Sequence, residues 1–552
     1  MTPHTRPAAP VGRSPRTLDR RAIRVAAISL VTLSLPSGCD RGGNAPSSAK
    51  SPPAAPVVNP TIRPNVVMLL IDTLRADHLG FMGYERPTSP AMDRWAAEGI
   101  VFERAIAPAP WTVPSIASIF TALNPSVHHL LDHRGKYGTA GAPVQGDVLP
   151  PDVETLAESF AAGGYQTCGV VANSWLTRGF GFDQGFGAYE CLDPRDRAYV
   201  PAREVIATAS RWLGSRKPDQ PFFLYLHVMD VHAPYNASEE SRRPFIEALR
   251  RQPASTEIKP GEIRPGYIAG IANKTQRLDR TLLRRPEYWQ ALYDAGITDL
   301  DAQLRDLERL LTEAGLWKQT LLVVTADHGE ALYEQGGWSH GMSPYHHQLH
   351  VPLLLHCPAR WSEPRRIAST VGLTALKPTL LELTGLASSA FSQTGSFASL
   401  LQPDAISGDG FAFSEGVKYF NHLKTAYSGD YKIVYDSRRE QSVWFDLRSD
   451  PLEQRRDPVP REDARLDRIY RRLLGTIRDN QSNEQRIPRV AQRRSAAQQN
   501  TLTQLGYTVD SGPEIPWPPY GAFFMDPAHP DPWRPAASTA SSTSSPQGSG
   551  AP

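Results

Sequence analysis

The sequence is poor in cysteine, in long apolar runs and in charge of one sign. It holds 4 cysteines in 552 residues. So few exclude a disulfide-framework fold and fit no paired zinc-finger spacing. Lys and Arg total 59 against 57 for Asp and Glu, a net charge of +2. With no excess of positive charge to grip a phosphate backbone, a nucleic-acid partner is not expected. Beyond Leu35 no apolar stretch is long enough to span a bilayer. No internal repeat is visible. What the chain does have is length, with 40% hydrophobic and 21% charged residues. That suits one large core, or two or three smaller ones.

The N-terminus reads as an address. Arg20, Arg21 and Arg24 precede a short apolar run, Val25 to Leu35, followed by Ser37, Gly38 and Cys39. A basic stretch, an apolar run of this length and a small-residue exit describe a secretory signal, and the run is too short for a transmembrane helix. Leu35 to Cys39 resembles a bacterial lipobox, with Pro36 where an aliphatic residue is usual. The expectation is an exported lipoprotein of the periplasm or cell surface, held to a membrane through a lipidated Cys39. Plain secretion, with Cys39 discarded, is the alternative. Residues 1–38 are then signal peptide, and 39–60, rich in Gly, Ser, Ala and Pro, a flexible tether. In an oxidising compartment Cys168 and Cys191 have the option of pairing, free thiols being the other reading. Cys357, in an apolar run, reads as a buried thiol. The stretch 481–552 turns polar and is expected to be largely disordered.

Between these ends, apolar strands alternate with helical patterns. Val66 to Ile71 is an unbroken apolar run, as in a strand covered on both faces. Leu321 to Val324, Val351 to Leu355 and Phe222 to Leu226 are of the same kind. From Leu292 to Ala314 the spacing of Leu300, Leu304, Leu307 and Leu311 predicts a helix that stops at Gly315. The alternation argues for a layered α/β domain over 61–400 with a largely parallel sheet. Residues 236–286 are charged and irregular and read as an insertion near the site entrance. Tyr431 to Tyr435 and Ser442 to Leu447, separated by a polar turn, predict a hairpin in a smaller C-terminal subdomain, 401–480.

Two of the buried strands run straight into acids. Asp72 follows Ile71, and Asp327-His328-Gly329-Glu330 follows Ala326. Ligands of open α/β sheets bind beyond the carboxyl ends of the strands. Two carboxylates and an imidazole gathered there suit a divalent metal ion. Taken singly, each has a structural reading: Asp72 can cap a strand end, and Asp-His-Gly is a common string. The third element is Trp111 to Ser115, which opens an apolar segment. Pro114 suits the first turn of a helix, and Thr112 then lies at its N-terminus, where backbone N–H groups favour an anion. Simple capping by Thr112 or Ser115 is the structural alternative.

Taken together, these segments resemble the sulfatases of the alkaline phosphatase superfamily. Asn65 to Gly80, Gly83-Tyr84, Thr112 to Ser115, Asp327 to Glu330 and His340-Gly341 stand in the family's order. Thr155 to Glu158, Asp230 to Tyr235, Val351 to Leu353 and Phe445 to Leu447 match as well. The resemblance implies a mixed, mainly parallel sheet flanked by helices, with a small C-terminal antiparallel subdomain. It implies Asp72, Asp327 and His328 as ligands of one divalent cation, Ca2+, Mn2+ or Zn2+, with Thr112 touching it as nucleophile. It implies His232 as a contact to substrate or leaving group, and His340 at a basic position, often lysine, that binds the transferred group.

The chain departs from the family pattern in three ways. Sulfatases carry Cys or Ser where Thr112 stands, and convert it to formylglycine, which threonine cannot form. A second Asp often follows the first; here it is Thr73. The family's Gly-Lys-Trp-His stretch is absent, and Asn173 stands near its place. The set Asp72, Thr112, Asp327 and His328 also looks like that of phosphoethanolamine and glycerophosphate transferases. The expected activity is therefore hydrolysis of an anionic ester, a sulfated or phosphorylated glycan, lipid or small molecule. The alternatives are a threonine-nucleophile phosphodiesterase or phosphotransferase, and a non-catalytic binding lipoprotein. His128, His129, His346, His347 and His350 read as supporting residues rather than further ligands, Arg75 and Asp77 as braces of the first loop, and Lys136 as a solvated loop lysine.

Overall fold

The structure is a computed structural model. It describes residues 63–131, 145–192, 199–254, 257–258, 278–387, 390–417, 422–460 and 462–493. The expected signal peptide, Cys39, the tether and Lys136 lie outside these residues, as does most of the expected tail. Among the described residues no helix is long and apolar enough to cross a membrane.

The strands are β1 (Asn65–Ile71), β2 (Ile100–Ile106), β3 (Gln145–Val148), β4 (Gln166–Val171), β5 (Ala188–Cys191), β6 (Phe222–Val228), β7 (Thr320–Thr325), β8 (Ala331–Leu332) and β9 (Trp338–Ser339). They continue with β10 (His350–His356), β11 (Arg365–Gly372), β12 (Gly410–Ser414), β13 (Leu423–Ser428), β14 (Tyr431–Asp436), β15 (Gln441–Asp446), β16 (Asp457–Pro458) and β17 (Val490–Arg493). Thirteen of them form one sheet in the order β16-β15-β14-β13-β12-β11-β2-β10-β7-β1-β6-β4-β5. β1 lies parallel to both β6 and β7, and β4 parallel to β5 and β6. Val66 to Ile71 are all fully buried, because helices cover both faces of this central run.

β10 is what makes the central sheet mixed. It is antiparallel to β2 and to β7. A fully buried apolar strand has the same composition in either direction, so its sequence carries no sign of orientation. The expected C-terminal subdomain is an antiparallel ladder from β12 to β16, as the 431–447 pattern predicts. It is not a separate sheet. β12 pairs in parallel with β11 at Thr370↔Gly410 and Val371↔Phe411. Gly410 has φ +68, and a Cβ there would meet the Thr370 carbonyl oxygen at 2.1 Å. Glycine is what lets the two backbones close.

The helix over Pro286–Glu313 ends before Gly315, at φ +68, as the leucine spacing predicts, but it starts at Pro286, ahead of the expected Leu292. Thr155 to Glu158 forms a capping box at the start of Leu156–Ala162. The expected insertion contains the helix Glu239–Arg250. The helix Ala464–Glu484 packs Leu466, Ile469, Tyr470 and Leu473 against Phe413, Ile433 and Tyr435. It carries ordered structure past residue 480, and β17 then pairs with β3. The first residues of the expected tail are thus structured. Cys168 and Cys191 are free thiols on neighbouring strands, and Cys357 is buried and free.

Candidate active site

Asp72 and Asp327 stand at the carboxyl ends of two adjacent parallel strands, β1 and β7. His328 follows Asp327. All three are fully buried. One ligand atom from each lies within 4.8 Å of the others. His328 Nε2 is 3.3 Å from Asp327 Oδ2 and 3.6 Å from Asp72 Oδ1. Both of those oxygens are buried and accept no hydrogen bond. Anionic oxygens left without a donor in a dry interior are costly. A divalent cation among them removes that cost, so these residues fit one.

The remaining polar atom of each group is committed elsewhere. Asp72 Oδ2 accepts from Asn173 Nδ2 at 2.7 Å and faces His227 Nε2 at 3.3 Å. Asp327 Oδ1 accepts the backbone N–H of His328 at 3.0 Å and of Thr73 at 3.4 Å. His328 Nδ1 lies 2.9 Å from the Gly329 carbonyl oxygen. It donates there, which leaves the lone pair on Nε2. Burial disfavours the charged Asp72. The hydrogen bond from His227 and the nearby His232 and His328 outweigh it and hold the carboxyl well below its usual range. Burial likewise works against a charged His328, but Asp327 and Asp72 push the imidazole up to about 9. A bare His328 is thus drawn towards the protonated form by its carboxylates, and a cation would compete with that proton.

Thr112 is the first residue of the helix Thr112–Thr121, after Trp111 in extended conformation. Its Oγ1 lies 3.3 Å from His328 Nε2. Three side chains fix this helix start. Ser115 Oγ donates to the Asp327 carbonyl at 2.6 Å. Trp111 Nε1 donates to Gly416 O at 2.8 Å. His128 Nε2 is 3.2 Å from Pro114 O and 3.0 Å from Ser118 Oγ. His128 Nδ1 accepts the Leu130 N–H, so Nε2 carries the proton. Burial pushes His128 down to about 3 and keeps it neutral.

His232 and His340 complete the cluster. The His340 ring is 4.4 Å from that of His328 and 5.1 Å from that of His232. His340 Nδ1 lies 3.2 Å from Glu330 Oε1. Burial, then His328 and His232, pushes His340 well below its ordinary value. Burial raises Glu330 to about 7 against the pull of His232 and His328. His232 Nδ1 lies 2.6 Å from Ala233 O. Asp230, from the same segment, turns away from the cluster. It accepts the Ala202 N–H and a Gln303 side-chain N–H, and burial pushes it up to about 7.

The surrounding loop is held by strain and bracing. Thr73 has φ +64, a costly conformation for a β-branched residue. Tyr293 holds it: its hydroxyl donates to Thr73 O at 2.6 Å and accepts the Arg75 N–H at 2.8 Å. Arg75 grips Asp77 through Nε and Nη2 and Glu334 through Nη1, as expected of a brace. Gly329 has no room for a side chain, since a Cβ would meet His347 O at 2.1 Å. Among the described residues none of His346, His347 and His350 joins a metal-binding group. His350 donates to Glu103 O, and His346 stacks on its ring. Glu453 accepts the His346 N–H and pairs with the buried Lys432, which also donates to Pro344 O. That pair ties the C-terminal strands to the loop after His340.

Sequence reasoning brought Asp72, Thr112, Asp327, His328, His232 and His340 to this point, and the structure gathers all six. It missed His227, Tyr225 and Tyr293. His227 lies opposite Leu70 in the β1–β6 register. The one signal for it is a polar residue closing the apolar run of β6.

The comparisons place the fold in a family. Residues 64–386 match the family model described as Sulfatase. An arylsulfatase of Clostridium perfringens is 22% identical over 470 residues, covering 71% of this chain and 89% of that protein. The phosphonate monoester hydrolase of Agrobacterium radiobacter superposes with a TM-score of 0.58 at 18% identity, over 76% of this chain and 96% of its own. A protein solved with its substrate D-glucosamine-2-N,6-O-disulfate superposes with a TM-score of 0.60 at 16% identity, over 77% and 98%. The chain belongs to the sulfatase family and is a hydrolase of that family.

Proposed function

We propose that the chain is a metal-dependent hydrolase of an anionic ester, with Thr112 Oγ1 as the attacking atom. One observation carries this reading: Thr112 Oγ1 stands 3.3 Å from the nitrogen around which two donor-free carboxylate oxygens gather. Asp72, Asp327 and His328 would hold the cation, with Thr112 beside it. When bound, it supplies Lewis acidity that favours the ionised hydroxyl and draws charge from the ester oxygens. The helix start at Thr112 presents backbone N–H groups to an anionic group. Thr112 Oγ1 forms a bond to the sulfur or phosphorus, and the bond to the departing oxygen breaks. The departing oxygen takes a proton from the protonated ring of His232, while His340, kept neutral by burial, faces the transferred group. Water then cleaves the Thr112 ester, releases the anion and restores the hydroxyl.

The family and the arylsulfatase relative favour a sulfate ester, on a glycan, lipid or small molecule. One observation favours a second reading, phosphodiester hydrolysis: residue 112 is threonine and cannot become formylglycine. Aryl sulfate, aryl phosphodiester and aryl phosphomonoester turnover, measured with Ca2+, Mn2+ and Zn2+ beside Thr112→Ala, separates them. Sulfate turnover lost in Thr112→Ala supports the first reading, and phosphodiester turnover lost in that variant the second. Turnover retained in Thr112→Ala removes the nucleophile from both.

We also read the enzyme as exported and anchored through lipid on Cys39. Mass spectrometry of the membrane fraction tests this; a soluble product with unmodified Cys39, or an intact N-terminus in the cytoplasm, counts against it.

A further inference from the structure

Resting on the metal-dependent reading above, the geometry points to a selective site: we propose that Asn173 and the Tyr225–His227 pair hold Asp72 as a one-oxygen ligand, and that the resulting three-atom set selects Zn2+ over Ca2+.

Asp72 has two oxygens, and one of them is taken. Asn173 Nδ2 donates to Oδ2 at 2.7 Å. His227 Nε2 faces the same oxygen at 3.3 Å. An ionised carboxylate only accepts, so Nε2 must carry a proton. In the neutral ring Nδ1 is then an acceptor, and the Tyr225 hydroxyl, 2.9 Å away, donates to it. Tyr225, His227 and Asp72 form a directed chain of hydrogen bonds through the buried ends of β6 and β1. All three side chains are fully buried, so water does not substitute for any link. Asn173 is itself fixed, because its Oδ1 accepts the Trp175 N–H at 2.9 Å.

Asp327 follows the same pattern with backbone donors. Its Oδ1 takes the N–H groups of Thr73 and His328, and Oδ2 is left. His328 commits Nδ1 to the Gly329 carbonyl and turns Nε2 inward. Each of the three groups therefore offers one atom. Neither carboxylate can chelate through both oxygens without giving up a buried hydrogen bond. Thr73, next to Asp72, adds no charge, and its buried hydroxyl makes no hydrogen bond.

Ca2+ takes six to eight oxygens and often relies on two-oxygen carboxylates. Zn2+ is satisfied by about four ligands, mixes imidazole with single carboxylate oxygens, and in catalytic sites keeps one position open. Three inward atoms with Thr112 Oγ1 beside them match the second pattern. Partners that orient a ligand commonly contribute about 10- to 100-fold in metal affinity. His227, Tyr225 and Asn173 are thus positioning residues, acting through Asp72.

The test is calorimetric titration of the metal-stripped full chain with Zn2+ alone and with Ca2+ alone, and melting of the metal-free protein. The expected result is Zn2+ bound at least about 100-fold more tightly than Ca2+. In His227→Leu, Zn2+ affinity should fall about 10- to 100-fold and the Zn2+/Ca2+ ratio should narrow. His227→Gln, which restores a side-chain N–H near Oδ2, should recover much of the loss. Tyr225→Phe should lose less in the same direction, and serves if His227→Leu does not fold. Equal affinity of the wild type for the two cations overturns the selectivity. Wild-type Zn2+ affinity in His227→Leu or Tyr225→Phe, with only the metal-free melting point lowered, overturns the positioning role. Binding of neither cation sinks the metal-dependent reading itself, and this inference with it.

Discussion

At the scale of single residues, the site is a set of side chains whose other atoms are already engaged. Thr112 is the exception, since its hydroxyl meets only the inward nitrogen of His328. Removing a nucleophile commonly costs several orders of magnitude in rate. Thr112→Ala should lower kcat at least about 10³-fold, whereas Thr112→Ser, keeping the hydroxyl, should retain most of it. Steady-state rates decide, and comparable activity in the alanine variant would exclude Thr112 as the attacking group. His128 makes a pH prediction. Its folded value is pushed down to about 3 from an ordinary 6.5. A depressed base binds its proton less readily folded than unfolded. Its contribution is therefore present above about pH 6.5 and lost as pH falls towards 3. Urea midpoints of the wild type should drop between pH 7 and pH 4 more steeply than those of His128→Gln; parallel curves would refute the assignment.

The quartet Asp72, Thr112, Asp327 and His328 was legible because each member follows a readable signal: a buried strand that ends, or a proline that starts a helix. Its supports were not. His227 reaches Asp72 only through cross-strand register, which has no local signature in strands buried on both faces. Asn173, singled out in the sequence by its place alone, reaches Asp72 from the loop after β4.

At the scale of elements, two short loops hold the ends of β1 and β7. Tyr293, from the long helix, spans the strained turn at Thr73. Tyr293→Phe leaves Thr73 O and Arg75 N–H without their partner and should cost about 1–3 kcal/mol. The same change should lower metal retention, measured by elemental analysis after gel filtration. A stability loss with full metal content would separate the turn from the site. Gly329 permits the close passage of His347 O. Gly329→Ala should cost about 3 kcal/mol or more, because backbone rather than a pliable side chain must move. A melting point within a degree of wild type would contradict that packing. Strands and the long helix were readable from apolar runs and leucine spacing. The direction of β10 was not, because its neighbours, not its residues, decide it.

At the scale of the whole molecule, the strands that carry the candidate site and the C-terminal ladder share one sheet. Lys432 and Glu453 are buried in the ladder and paired, and both also bond the loop that follows His340. Burial pushes the lysine down and the glutamate up. Lys432→Met alone should cost about 3–5 kcal/mol, since it strands a buried carboxylate. Lys432→Met with Glu453→Leu should regain much of that stability. It should not regain kcat, because the ties to Pro344 and His346 are gone. Melting curves beside turnover test this; full recovery of both would show the ladder to be indifferent to the site. The strands beyond the sequence boundary near residue 400 pair antiparallel among themselves. That boundary does not mark a break in the hydrogen-bonded sheet, which depends on the close approach at Gly410.

The place of β1 has a mechanical consequence. It is flanked on both sides by parallel partners, β6 and β7, and its last residue leads directly into Asp72. A pull on the chain ahead of Asn65 runs along the strand, so every hydrogen bond of both ladders bears load together in shear. Forced unfolding is governed by the unfolding barrier, and a strand held this way resists where a hairpin at the edge would unzip. Any tension that does move β1 also shifts Asp72, so the proposed cation site would be disturbed before the fold was lost.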